Sequence, residues 1–300
     1  PGFDGNTNRA VFFGNDGGVY KADNVYTVSG TSGWQELNNN LGITQFYGAA
    51  GNPASGVIVG GTQDNGTLRY TGGAETWTTM FGGDGGFSAA DQTDPNYFYG
   101  EYVNAQVHRS YDGGSTSEYI YGLYWDGSQW TCRPAPYRID DACNNTANFI
   151  APIILDPNDS NRLLVGGRSL WRTNDPKTPT TTTGPSWASI KLPISGNENI
   201  SAIAVAPGNS NIIWVGHNNG NVYRTTNGTS TSPTWTQVDT NSPGLPNRYV
   251  TRITIDRLNS NSVYVTFGSF NSDNIWRSTD GGSSWSDRTG SGSTGLPDVP

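Results

Sequence analysis

Charged residues are scarce in this sequence of 300 residues: they make up 14% of it, and the formal net charge is −8. Only three lysines occur, Lys21, Lys177 and Lys191. A nucleic-acid surface needs clustered lysine and arginine to neutralise phosphates, so the composition argues against a nucleic-acid partner. No stretch approaches about 18 consecutive apolar residues, so we expect no membrane span. Amphipathic helical periodicity is also missing, which argues against a helical fold.

Cysteine is nearly absent as well. Cys132 and Cys143 are the only two, eleven residues apart in an irregular stretch. We interpret them as a local disulfide that closes an insertion at 125–148, which would place the protein outside the reducing cytosol. The alternative is two free thiols in a cytosolic protein. No metal site is predicted from them, because the two histidines, His108 and His217, lie far away in sequence and no second cysteine pair exists.

Glycine and large aromatic residues are abundant instead. The chain contains 40 Gly, 17 Pro, 10 Trp, 15 Tyr and 10 Phe. The glycines and prolines indicate many tight turns, and the aromatic rings offset a hydrophobic fraction of only 33%. The chain opens on Pro1 without a methionine, so we expect a processed or partial chain.

A unit of roughly fifty residues recurs along the sequence. Its equivalent arginines, Arg172, Arg224 and Arg277, are 52 and 53 residues apart, and its tryptophans, Trp187, Trp235 and Trp285, are 48 and 50 apart. Each unit holds four short segments of β-branched and aromatic residues between turn residues, which is typical of one β-propeller blade. Two looser units lie at 43–80 and 85–124.

The first 42 residues fit this repeat only in part. They contain three predicted strands, at 10–14, 18–22 and 33–37, and the innermost strand of the unit is missing. We therefore predict an all-β propeller of four-stranded antiparallel blades, with five full blades and one partial blade in a single domain over 1–300. We expect this domain to be part of a longer chain whose propeller has six to eight blades.

One turn carries a specific family resemblance. The segment Ser278-Thr-Asp-Gly-Gly-Ser-Ser-Trp285 fits the pattern Ser/Thr-x-Asp-x-Gly-x-Ser/Thr-Trp at every position. It resembles the Asp box of the BNR-repeat propellers, which include sialidases, xyloglucan hydrolases, sortilin-type receptors and photosystem assembly factors. Looser versions occur at 110–117, 173–187 and 225–235; with 278–285, we call these four segments the box turns. The residues expected to act structurally there are Asp112, Asp175, Asn227, Asp280 and Trp285.

The resemblance implies that any site lies away from the box turns, in the Asp/Asn/Gly-rich loops on the opposite face. The candidate ligand-binding residues are Asp16, Gln63, Asp64, Asn65 and Asp84 in those loops, with Trp125 and Trp130 in the insertion. Asp64, Asp84 and Glu101 are also the candidates for the carboxyl pair that glycoside hydrolysis needs. Their oxygen atoms could instead hold Ca²⁺ or simply satisfy turn amides. No other cofactor is predicted.

Sialidase chemistry is disfavoured on the residues themselves. The family's Arg-Ile-Pro segment near the N-terminus is absent, and Arg172, Arg224 and Arg277 recur with the repeat, so they look structural. The related xyloglucan hydrolases use two propellers with a cleft between them, and one propeller would supply half of such a site.

Three functional hypotheses follow. The first is a non-catalytic secreted or cell-surface propeller module that binds a glycan or an extracellular protein, alongside other domains of its parent chain. The second is a xyloglucanase-like glycoside hydrolase or a fragment of one. The third is a structural subunit of an extracellular assembly. Because no recognisable acid–base pair is present, the sequence favours the first hypothesis and leaves enzymatic activity open.

Overall fold

The computed structural model describes residues 2–3, 9–15, 18–39, 44–73, 76–270, 273–291 and 295–296. The chain divides into two compact units, unit 1 at Pro1–Gln45 and unit 2 at Phe46–Pro300. The described strands form six four-stranded antiparallel sheets and one two-stranded hairpin. Within the same residues, no helix is long and apolar enough to cross a membrane.

Unit 1 holds one four-stranded sheet. Its strands, in spatial as well as chain order, are β1 (Gly2–Phe3), β2 (Val11–Asn15), β3 (Gly18–Ala22) and β4 (Gln35–Glu36). The sequence had predicted three strands here, and that prediction was wrong: β1 pairs with β2 and supplies the missing strand. A strand of two residues is too short to show the alternation by which strands are found in a sequence.

Unit 2 holds five four-stranded sheets, which we call blades 1 to 5. Blade 1 contains β5 (Phe46–Gly51), β6 (Ile58–Thr62), β7 (Gly66–Tyr70) and β8 (Trp77–Phe81). Blade 2 contains β9 (Ser88–Ala90), β10 (Phe98–Glu101), β11 (Val107–Ser110) and β12 (Glu118–Tyr119). The insertion follows, with the hairpin β13 (Leu123–Trp125) and β14 (Trp130–Cys132) and one helical turn, α1 (Asp140–Cys143).

The remaining blades have the same plan. Blade 3 contains β15 (Ile153–Leu155), β16 (Leu163–Gly166), β17 (Leu170–Thr173) and β18 (Ala188–Lys191), and a 3-10 turn follows at Ser195–Asn197. Blade 4 contains β19 (Ile200–Ala206), β20 (Asn209–His217), β21 (Val222–Thr225) and β22 (Thr236–Gln237). Blade 5 contains β23 (Val250–Ile255), β24 (Val263–Phe267), β25 (Ile275–Ser278) and β26 (Ser286–Asp287). In every blade the strands neighbour each other in chain order. The predicted β-propeller of four-stranded antiparallel blades is thereby confirmed.

The first strands of the five blades, β5, β9, β15, β19 and β23, together line a channel of about 600 Å³. The second strand of blade 3 is packed on both faces, which is why Leu163, Leu164 and Val165 form a continuous apolar run and are all fully buried. Apolar clusters span neighbouring blades: Trp214 of blade 4 lies in one cluster with Val265 of blade 5. The core therefore lies between the blades.

Two kinds of contact recur between successive blades: an arginine contact at the four junctions from blade 1 to blade 5, and a tryptophan contact at the three from blade 2 to blade 5. An arginine on the third strand of one blade donates to backbone carbonyls in the turn that follows the third strand of the next blade. The acceptors are Gly113 O for Arg69 (2.7 Å), Pro176 O (2.7 Å) and Thr178 O (2.9 Å) for Arg109, Gly228 O and Ser230 O (3.0 Å) for Arg172, and Gly281 O (2.9 Å) for Arg224.

The tryptophans of the repeat make the opposite connection. Each indole N–H donates to a carbonyl of the preceding blade: Trp187 to Ile120 O (2.9 Å), Trp235 to Ile190 O (2.8 Å) and Trp285 to Val238 O (2.9 Å). The recurring arginine and tryptophan thus form a reciprocal clasp, and this geometry explains why both residue types recur at the blade period.

Candidate functional site

The acceptors of the box turns are occupied by local donors. Asp280 accepts the backbone N–H of Ser284 (3.0 Å) and the hydroxyls of Ser278 (2.8 Å) and Ser284 (2.7 Å). These bonds, above all the one from the Ser284 hydroxyl, lower the pKa of Asp280 to about 2. Asp112, Asp175 and Asn227 each accept a hydroxyl from the end of their strand and a backbone N–H farther along the turn. Their structural role stays a prediction, with contacts of the expected kind.

Three predicted site residues meet where blades 1 and 2 adjoin. The Asp84 carboxylate accepts the backbone N–H of Asp64 (3.0 Å) and so joins the connection before β9 to the turn between β6 and β7. Glu101, at the end of β10, is 0% exposed. Its Oε1 accepts the backbone N–H of Ala105 (3.1 Å), and its Oε2 has no hydrogen-bond partner among the described residues.

Burial determines the protonation of Glu101. Removal from solvent raises the pKa of this carboxyl well above its usual range, and the nearby Asp84 charge adds to the effect. The backbone amides of Ala105 and Ala151 oppose the shift without reversing it. Glu101 therefore keeps its proton under conditions in which an exposed glutamate is ionised.

The glycine doublets around these acids let two loops pack backbone against backbone. Gly85 N–H donates to Thr62 O (2.8 Å), and Gly86 N–H donates to Glu101 O (2.6 Å). A Cβ atom at Gly61 would lie 2.0 Å from Gly86 O, and one at Gly86 would lie 1.8 Å from Glu101 Oε2. The Gly-Asp-Gly motif that suggested a ligand loop therefore fills the space between the blades with its own backbone.

The other predicted loop residues are partly accounted for. Asn65 is exposed and donates from its side chain to Gln63 O (3.0 Å), while Gln63 is half-buried. Asp16 lies outside the described residues. No group of three or more His, Cys, Asp or Glu side chains in the described part of the chain is placed to hold a metal ion. The Ca²⁺ possibility therefore has no defined ligand set there.

The insertion presents its two tryptophans to solvent. Trp125 and Trp130 face each other across the β13–β14 hairpin, with ring centroids 5.8 Å apart in an edge-to-face arrangement, and are 53% and 65% exposed. The predicted disulfide is confirmed: it joins Cys132, the last residue of β14, to Cys143, the last residue of α1. Tyr121, just before the hairpin, is buried.

A cavity of about 440 Å³ lies beside this disulfide. Trp130 lines it together with Gln106, Arg138, Asn144 and Asn145. Gln106 lies in the turn between β10 and β11, and its side chain donates to the Asn145 side chain (3.2 Å). Arg138 is paired with Asp140 at 2.6 Å. We call this cavity the insertion groove.

Of the candidate ligand-binding residues, only Trp130 lines the groove. Gln106 is separated from Asn145 by 39 residues, and nothing in the spacing of these amides marks them as neighbours. The groove forms because Asp141 of α1 anchors the insertion to blade 3. Its buried carboxylate accepts the backbone N–H of Ser169 (2.9 Å), the indole N–H of Trp171 (2.8 Å) and the Thr146 hydroxyl (2.8 Å).

The sequence matches no protein-family model and no curated protein. Among solved structures, YCF48 from Cyanidioschyzon merolae is similar at a TM-score of 0.54 and 15% identity, over 96% of this chain and 87% of that one. A crystal structure of an ancestral GH74 enzyme is similar at a TM-score of 0.43 and 21% identity, over 69% of this chain. The chain spans only 24% of that enzyme's length. The likeness to YCF48 supports the β-propeller fold and nothing finer.

Proposed function

We propose that the chain is a non-catalytic propeller module of the Asp-box type that binds a glycan in the insertion groove. One observation carries the proposal: an exposed tryptophan, Trp130, borders a cavity of about 440 Å³ that is also lined by the amide side chains of Gln106, Asn144 and Asn145. A sugar ring offers an apolar face for an aromatic ring and hydroxyls for amides. A concave site with one aromatic wall and a few placed polar groups suits such a ligand.

The disulfide supports both the site and its setting. The bond from Cys132 to Cys143 holds the hairpin that carries Trp130 against α1, so two walls of the groove are fixed before a ligand arrives. Disulfides persist in oxidising surroundings, and we therefore propose a secreted or cell-surface protein. The box turns, with their Asp and Asn acceptors filled by local donors, support the Asp-box assignment.

The same geometry counts against hydrolysis at Asp64, Asp84 and Glu101. A glycosidase needs two carboxyl groups that both reach the substrate. Glu101 is 0% exposed, and Asp84 uses its Oδ1 to hold the Asp64 amide. The Asp84 carboxylate therefore holds one loop to the other, and the Glu101 carboxyl group is closed off from a substrate.

A glycan array probed with the full chain, followed by calorimetry on the best oligosaccharide, tests the proposal. Trp130→Ala should weaken binding at least tenfold, which corresponds to about 1.4 kcal/mol, because the stacking face is lost. Tyr26→Ala is the control, since Tyr26 is 82% exposed and does not line the groove. Undiminished binding by the Trp130 variant would show that the groove is not the site. Binding of no glycan, or release of sugar from the bound chain, would overturn the proposed function.

A further inference from the structure

Two cations at one end of blade 3 lack an acidic partner among the described residues. Arg168 is half-buried in the turn between β16 and β17. Its Nε is buried without an acceptor, and its side chain forms no hydrogen bond, ion pair or ring contact with the described part of the chain. Lys191, the last residue of β18, pairs in register with Leu170, directly after that turn. It is only 5% exposed.

The contacts of Lys191 are uncharged. Its Nζ lies 3.2 Å from His217 Nε2 and 4.1 Å from the centroid of the Tyr223 ring. Burial lowers the pKa of Lys191 to about 8, so the amine is still mostly protonated at neutral pH. Burial, followed by the Lys191 charge, lowers the pKa of His217 to about 4, which leaves this imidazole neutral.

Most other buried or half-buried cations have an acidic or carbonyl partner. Arg109 pairs with Glu118, Lys177 lies 2.6 Å from Asp91, and Arg172 donates to two carbonyls. Half-buried Arg277 has only the Ser262 hydroxyl (3.3 Å) and the Tyr264 ring among the described residues. A buried cation without such a partner is costly, so proteins rarely retain one. The chain has 25 acidic residues to 17 Lys and Arg, so acids are not in short supply.

Three acids in neighbouring segments form no ion pair with Arg168 or Lys191. Asp141 accepts donors from Ser169, Trp171 and Thr146. Asp239 accepts the Val222 N–H (2.8 Å) and the Gln237 amide (3.0 Å). The backbone carbonyl of Glu198 lies 3.0 Å from His217 Nδ1, but its carboxylate is not paired with either cation.

The turn that carries Arg168 is held from two sides. Asp141 of α1 binds the Ser169 N–H, and Gly167 O accepts the N–H of Ile200 (2.8 Å) at the start of β19. Beside Ile200, the side chains of Asn199 and Asn218 both donate to Asn148 Oδ1, at 3.2 and 2.8 Å. Arg168 is therefore presented on a fixed turn next to a cluster of amides.

We propose that this end of blade 3 is an anion-binding site, in which Arg168 contacts a carboxylate or sulfate group of an acidic saccharide and Lys191 adds a buried positive charge. The inference rests on the proposed function: α1 contributes to the insertion groove through Ala142 and Cys143 and holds the Arg168 turn through Asp141. The anionic group of the ligand would supply the negative charge that no described side chain provides. The planar guanidinium group of Arg168 can donate two parallel hydrogen bonds to the oxygen atoms of that anion.

Calorimetry at low salt with oligogalacturonate and with its methyl ester tests the site, because esterification removes the charge of each carboxylate and adds only a methyl group. Wild-type protein should bind the acid at least tenfold more tightly than the ester, and high salt should shrink this difference. Arg168→Gln should bind acid and ester equally. Arg257→Gln removes an exposed arginine elsewhere and should behave as wild type. Equal binding of acid and ester by wild type, or an unchanged preference in Arg168→Gln, would overturn the proposal.

Two further arms separate this proposal from the groove itself. Trp130→Ala should weaken the acid and the ester alike; if it does so while Arg168→Gln changes nothing, glycan binding stands and the anion site falls. Thermal unfolding in sodium sulfate needs no glycan at all. A sulfate-induced rise in unfolding temperature that is larger in wild type and in Arg257→Gln than in Arg168→Gln supports the anion site even if no saccharide binds. Equal rises in all three proteins count against it.

Discussion

Glu101 shows how far the setting of one residue changes its chemistry. In the sequence it is a carboxyl group next to Asp/Gly loops, and so a candidate acid or base. In the structure it is 0% exposed and accepts one backbone N–H. Its Oε2 packs so closely on Gly86 that a side chain at that position would collide with it. Burial keeps it protonated. Glu101 is therefore a buried, protonated side chain that contributes to packing.

The pH dependence of Glu101→Gln tests this view. The folded-state pKa of Glu101 lies above the usual value of 4.5. As the pH rises above 4.5, the unfolded state therefore loses this proton before the folded state does, and the free energy of unfolding of the wild type falls. The variant should match wild type near pH 4 and become the more stable protein at higher pH, by at most about 1.4 kcal/mol per pH unit. Urea unfolding from pH 4 to 8 measures the difference. A constant difference across this range would show that Glu101 ionises normally.

Between elements, the reciprocal clasp of arginine and tryptophan sets the geometry of the repeat. Blade 2 lacks the tryptophan half of the clasp, because Ser117 occupies the position at which the other blades have tryptophan. Its hydroxyl bonds to His108 Nδ1 (2.7 Å), and the His108 ring stacks on Phe81 at 4.1 Å. In blade 2 the buried His108 ring, held by the Ser117 hydroxyl, thus packs against the neighbouring blade. The sequence showed the missing tryptophan but not this replacement.

Arg172→Met should reveal the strength of the clasp. Methionine fills much of the same space but leaves Gly228 O and Ser230 O without their donor. We expect a loss of about 2–4 kcal/mol in the free energy of unfolding, the cost of two unsatisfied acceptors in a buried position. Chemical denaturation measures it. Arg257→Met, at an exposed arginine, is the control and should change stability by less than about 0.5 kcal/mol. Similar losses in both variants would mean that the clasp adds no stability.

For the molecule as a whole, two buried neutral histidines oppose the effect of Glu101. Burial lowers the pKa of His108 to about 3, and burial with the Lys191 charge lowers that of His217 to about 4. Both values lie below the usual 6.5, so the unfolded chain takes up protons that the folded protein refuses. Their stabilising contribution is complete above pH 6.5 and is lost as the pH falls toward the folded-state values.

Stability in the Glu101→Gln background, which lacks the opposing term, should therefore fall between pH 6.5 and 5. The expected slope is up to about 1.4 kcal/mol per pH unit for each histidine. Adding His217→Asn should reduce the slope by about half, since one of two titrating groups is removed. Unfolding free energies at half-unit pH intervals measure this. An unchanged slope would show that His217 takes up its proton equally in the folded and unfolded states.

The blade repeat can be recognised from the sequence alone. Spacing alone identified Arg172, Arg224 and Arg277 as equivalent, and turn residues marked the four strands of each unit, because strands and turns are coded locally. It also identified the Cys132–Cys143 bond, since only two cysteines lie close together in the chain. Local coding failed for β1, whose two residues form a strand only by pairing with β2.

Which residues share a site emerges only in the folded protein. Gln106 and Asn145 meet because α1 is anchored to blade 3 through Asp141. Arg168 and Lys191 lie at the same end of blade 3 because Leu170, two residues after Arg168, pairs with Lys191. These neighbours come from different strands and turns, so no spacing in the sequence records them. The packing of one glycine loop on another likewise sealed Glu101 from water. Solvent access and charge balance depend on all surrounding elements at once, and for that reason they emerge only when the blades are assembled.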